Sequence, residues 1–66
     1  MTNTIKVERA KRDWTQGELA ERLGVSRQTI HAIESGKYVP STVLALKLAK
    51  LFCVPVGELF QLEVCD

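Results

Sequence analysis

The positions of Gly24, Gly36, Pro40 and Pro55 decide most of what this chain can build. Glycine stops a helix by taking the left-handed conformation, and proline cannot supply the next N–H. Between these marks the segments are long enough for short helices and turns only. With 66 residues, folding hides only ~60% of the unfolded surface, so one small core is the most the chain supports. Chains of this size add disulfides, a metal, a partner subunit or very regular helix packing. Two-domain enzymes, dinucleotide-binding sheets and barrels are excluded. A ligand cavity on the order of several hundred Å³ has little room.

Composition places the chain among folded proteins. Hydrophobic residues make up 45% and charged residues 26%, with a net charge of +1, whereas disorder needs low hydrophobicity and high net charge. That balance is weak evidence for a polyanion partner and none for a membrane. Val43 to Val56, the most apolar stretch, is too short to span a bilayer and is interrupted by Lys47, Lys50 and Pro55. The first ten residues carry Lys6, Glu8 and Arg9 without an apolar run, so no signal peptide is expected. Cys53 and Cys65, without a CxxC and with one histidine, form neither a disulfide framework nor a zinc site. Two reduced thiols in a cytoplasmic protein are expected, with no cofactor and no metal.

The local signals are those of helices. Thr4 to Arg12 is rich in helix formers and closes at Asp13 and Trp14. Thr15-Gln16-Gly17-Glu18 reads as a capping box, with Trp14 and Leu19 as a hydrophobic staple. Leu19, Ala20 and Leu23 then line one stripe of a helix from Gln16 to Leu23, and Gly24 ends it. Ser26 caps a helix from Arg27 to Ser35, with Ile30 and Ile33 inward and Arg27, Gln28, His31 and Ala32 outward. Ser41 caps Thr42 to about Phe52. Its inner face is Leu44, Leu48, Leu51 and Phe52 with Ala45 and Ala49, while Val43 and Leu46 lie on the opposite side. Val56 to Phe60 reads as a fifth short helix. Phe60-Gln61-Leu62-Glu63-Val64 alternates apolar and polar residues, the period of a half-buried strand. A strand needs an edge, so it requires either Thr2 to Thr4 or another subunit.

The window from Gln16 to Ser35 is helix, tight turn, helix. Ala20 permits close approach, and the second helix keeps an N-terminal face of Arg27, Gln28 and His31 without acid. Arginine pairs bidentately with guanine, and glutamine with adenine, in the major groove. At TQGELAERLGVSRQTIHAIESGK, followed by VPSTVLALKLAKLF and VPVGELF, the chain resembles the Cro/lambdoid-repressor-like helix-turn-helix family of the xenobiotic-response-element type. The resemblance covers nearly the whole chain. It implies an all-α fold of five short helices around a central helix-turn-helix, with a small β element from the two terminal segments.

The resemblance also implies roles. Arg27 and Gln28 resemble the principal base readers, with His31 and Ala32 reading or flanking the next bases. Gln16, Thr29, Lys37 and Tyr38 resemble contacts to the DNA backbone, Gln16 acting together with its helix N-terminus. Arg9 and Glu34 occupy positions of a partly buried ion pair. The chain departs from the family pattern at Glu8, where many relatives have leucine, so that Glu8 pairs with Arg12 or Val7 takes over the packing. Gly17 replaces a better helix former, and Cys53 replaces a helix-ending glycine, which demands positive φ or a different ending.

The expected function is therefore sequence-specific binding of double-stranded DNA by a transcriptional regulator, as a homodimeric repressor of an inverted-repeat operator in a prokaryotic cytoplasm. Residues 1–66 are read as one domain, with about 56–65 serving dimerisation. Leu46, Val56, Phe60, Leu62 and Val64 are the candidate interface. Residues 1–37 carry a net +2 and residues 38–66 a net −1, so the motif half is the more basic. A protein antagonist is a candidate second partner, and a protein-binding module is the rival class. Neither a small-molecule effector site nor a nucleophile–base pair is evident, and an enzyme is not expected.

Overall fold

The computed structural model describes residues 1–64; Cys65 lies outside them. Five helices follow one another: α1 (Ile5–Lys11), α2 (Gln16–Leu23), α3 (Arg27–Glu34), α4 (Thr42–Phe52) and α5 (Val56–Leu59). Two short strands, β1 (Thr2–Asn3) and β2 (Phe60–Gln61), pair antiparallel with Thr2 opposite Gln61 and Asn3 opposite Phe60.

Local chemistry sets most of these boundaries. Thr15, Ser26 and Ser41 each accept a hydrogen bond from the backbone N–H three residues on, satisfying one of the open donors of a helix start. At Thr15 the reciprocal half of the box is altered. The Glu18 carboxylate accepts a hydrogen bond from the Thr15 hydroxyl at 3.4 Å instead of from the Thr15 backbone N–H. Gly24 ends α2 at φ 74°. Cys53 ends α4 in the same left-handed region at φ 56°, which strains a residue with a Cβ. Thr4, at the start of α1, makes no side-chain cap. Asn3 does that work instead: its Oδ1 accepts from the Ile5 N–H, and its Nδ2 donates to the Ile33 carbonyl at the far end of α3.

The core is Ile5, Leu19, Ala20, Ile30, Ile33, Leu48, Phe52 and Leu59, drawn from all five helices. Removing each of the large aliphatic members from water stabilises the fold by roughly 1.5–3 kcal/mol. Trp14 stacks on Phe52 with ring centroids 6.0 Å apart, and the Arg12 and Arg22 guanidiniums lie over these rings. Glu8 is buried. It pairs with Lys11 and Arg12, whose hydrogen bonds hold its carboxyl below the ordinary carboxylate range. Arg12 also donates to the Phe52 carbonyl, tying α1 to the end of α4. Val7 is exposed and takes no part in that packing. The strand expected through Val64 stops at Gln61, because β1 offers only two residues before the chain turns into α1. Leu62 and Val64 lie beyond the ladder, exposed.

Candidate nucleic-acid interface

The surface that matters is built by α2 packed against α3. Ala20, nearly fully buried, permits that approach, and Ile30 and Ile33 fasten the inner side of α3 to the core. The opposite side of α3 is left to solvent. Arg27, Gln28 and His31 are exposed there, Ala32 and Thr29 are half-buried, and the first turn holds no acid. Arg27, Gln28 and Lys37 have no hydrogen bond or ion pair through their side chains among the described residues. A positively charged donor face without internal partners can meet base edges or phosphates.

The N-terminus of α2 adjoins this face. Arg9, Thr15, Gln16, Gly17 and Arg27 line one shallow recess. Thr15 occupies the N–H groups of Glu18 and Leu19, while those of Gln16 and Gly17 have no acceptor among the described residues. Two open N–H groups at the positive end of a helix favour an anionic oxygen.

Behind the recess lies an ion pair. Arg9 Nε donates to Glu34 Oε2 at 2.8 Å and a second guanidinium nitrogen to Oε1 at 3.1 Å. A third bond runs to the Trp14 carbonyl at 2.8 Å. The side chains are only 15% and 6% exposed, so the pair works in a medium of low dielectric. Its hydrogen bonds push the Arg9 guanidinium further toward the charged state. The pair joins α1 to α3, and Glu34, the one acid on α3, is thereby held away from the exposed face of Arg27 and Gln28.

Gln16 belongs to the same cluster. Its Nε2 donates to Glu34 Oε1 at 3.2 Å and faces His31 Nδ1 at 3.5 Å. In the free chain its side-chain donors thus point into the protein, and the backbone N–H groups are what the α2 terminus offers outward. Nothing in the residue order showed this, since the contact depends on how α3 crosses α2. Asn3, which holds the end of α3, was also missed; an Asn just before a helix is the signal that would have found it. Thr29 uses its hydroxyl with the Ser26 cap at 2.8 Å. Tyr38 is exposed at the turn after α3, where its N–H and that of Lys37 both donate to the Ala32 carbonyl.

The candidate dimer residues lie elsewhere. Leu46 is exposed on α4 and Val56 on α5, Leu62 is 77% exposed, and Val64 is fully exposed. Phe60 differs, being half-buried against the chain's own core. No cluster of three metal-ligating side chains occurs among the described residues, and none of their helices is long and apolar enough to cross a membrane.

Known proteins resemble this chain over most of its length. A helix-turn-helix family model matches residues 5–59. An uncharacterised HTH-type transcriptional regulator of Methanocaldococcus jannaschii is 54% identical over 63 residues, covering 96% of each chain. The uncharacterised HTH-type transcriptional regulator YgzD of Bacillus subtilis is 48% identical over 63 residues, again covering 96% of each. The cryptic phage CTXphi transcriptional repressor RstR of Vibrio cholerae is 38% identical over 58 residues, which are 88% of this chain and 52% of that protein.

Proposed function

The chain belongs to the helix-turn-helix family of DNA-binding transcriptional regulators, and from that premise we propose that it acts as a homodimeric repressor reading an inverted-repeat operator. The observation that carries the proposal is the outer face of α3, where Arg27, Gln28 and His31 project without an acid beside the open N–H groups of α2. Arg27 and Gln28 supply base readout, with His31 and Ala32 at the next positions. Gln16 and Gly17 through their backbone, with Thr29, Lys37 and Tyr38, hold the phosphates. Phosphate contacts fix register and supply much of the affinity, and base contacts supply the choice.

Size supports the dimer. The longest dimension is 32 Å, and the chain has one recognition helix, whereas half-sites on one DNA face are roughly 34 Å apart. One copy reads one half-site, and two-fold pairing joins two. Leu46, Val56, Leu62 and Val64 form the contact, with a smaller share from Phe60. Repression follows from occupying the site that polymerase needs, and it accords with the relative named as a repressor. Residues 1–66 then act as one domain with about 56–65 serving the dimer.

A salt titration with a mixed-sequence duplex pool tests the DNA contact. The expected result is affinity that falls steeply with salt, and a slope about one unit shallower in Lys37→Ala. Absent or salt-independent binding would contradict the proposal. An unchanged slope in the variant would remove Lys37 from the footprint.

A further inference from the structure

We propose that Gln16 fixes the tautomer of His31, so that α3 presents an N–H donor at that position and selects a hydrogen-bond acceptor on the base edge. The inference rests on the reading of α3 as the recognition helix.

The buried ion pair sets the first constraint. Glu34, ionised against Arg9, is an acceptor only. Glu34 Oε1 lies 3.2 Å from the Gln16 amide. Turning that amide over would set its carbonyl oxygen against a carboxylate oxygen with no proton between them. The carboxylate therefore fixes which end of Gln16 carries the hydrogens. The same Nε2 faces His31 Nδ1 at 3.5 Å. An N–H aimed at a ring nitrogen requires that nitrogen to be unprotonated, and in neutral imidazole the proton then resides on Nε2. The ring is exposed, so Nε2–H is the group offered to solvent and to DNA. The charged groups around this cluster are Lys6 and Arg9 on α1 and Arg27 and Glu34 on α3, with Ser35 completing the recess.

A donor at this position has a defined preference. In the major groove it matches guanine O6 and N7, adenine N7 or thymine O4, and it is mismatched with the cytosine amino group. Gln16 is thus a positioning residue. It acts through His31, and Arg9 and Glu34 act through Gln16.

Nitrogen-15 spectra of the imidazole in the free protein, taken where the ring is neutral, test the relay without DNA. The wild type should show one dominant tautomer, protonated at Nε2, with a hydrogen-bonded Nδ1. In Gln16→Ala both ring shifts should move toward those of a histidine in an unstructured peptide, where the two tautomers mix. Glu34→Gln, which keeps the side-chain shape, should move them in the same direction. Duplex selection with Gln16→Ala should weaken the acceptor preference at one base position about fivefold, the worth of one hydrogen bond. An Nδ1–H wild type, or shifts that Gln16→Ala leaves in place, would overturn the relay. A relay present in the spectra with no base preference at that position would instead overturn the recognition-helix reading beneath it.

Discussion

The α2–α3 unit and the C-terminal third of the chain use their side chains in opposite ways. In α2–α3 both helix starts are capped, one carboxylate binds Arg9 and Gln16 together, and the residues left facing solvent are polar or charged, those on the outer side of α3 being the donors Arg27, Gln28 and His31. From α4 onward the exposed residues include Val43, Leu46, Val56, Leu62 and Val64, and the terminal strand pair is two residues long. The first region is finished within one chain and offers hydrogen bonds. The second leaves apolar surface in water, which costs roughly 25 cal/mol per Å². Water-facing donors suit a charged, hydrated duplex. Water-facing leucine and valine suit another protein surface, for which a second copy of the chain is proposed.

The sharpest way to break this contrast is to disturb the finished half. Glu34→Ala leaves Arg9 and Gln16 without their shared acceptor in a largely dry site. It should destabilise the fold by about 3 kcal/mol, the lower end for breaking a buried pair, measured by urea unfolding. A loss within experimental error of zero would mean that α1 and α3 are held by the apolar core alone.

Next in size is Arg27→Ala, which should cost about 1–3 kcal/mol of binding and relax preference at one base position. An equal loss on all sequences would make Arg27 a phosphate contact. Leu62→Asp addresses the unfinished half. It should weaken self-association at least about tenfold, near 1.4 kcal/mol, in sedimentation equilibrium, and leave unfolding at low concentration unchanged. If dimerisation survives while Leu46→Asp abolishes it, the contact lies on α4 and not on the tail.

The smallest effect concerns a single backbone angle. Cys53 ends α4 at φ 56°, where glycine has no Cβ to strain. Cys53→Gly relieves roughly 1–2 kcal/mol of left-handed strain against roughly 0.5–1 kcal/mol of added chain entropy, and the small net gain should read as an increase in Tm. A decrease would show that the Cys53 side chain contributes more than its backbone strain costs.

How much of this was legible beforehand depended on the range of the interaction. The caps at Thr15, Ser26 and Ser41, the left-handed stop at Gly24 and the inward pair Ile30 and Ile33 are decided within four residues, and the sequence reading located them. Glu8 shows the limit. Its departure from leucine was visible and Arg12 was named as one of two alternatives, but the choice between pairing and a Val7 replacement depended on Arg12 reaching the Phe52 carbonyl. The terminal strand is shorter than the alternation through Val64 predicts, because alternation describes a strand's own residues and not the length of its partner. The inward turn of Gln16 was invisible for a related reason. It joins the first residue of α2 to the last residue of α3, and that meeting exists only after the two helices cross.

The central claim is that two copies of α3 read two half-sites. Selection of bound duplexes from a random pool by the purified protein at moderate salt tests it most directly. The account predicts enrichment of an inverted repeat with half-site centres about 10–11 base pairs apart. A folded, dimeric sample that enriches no sequence would contradict it.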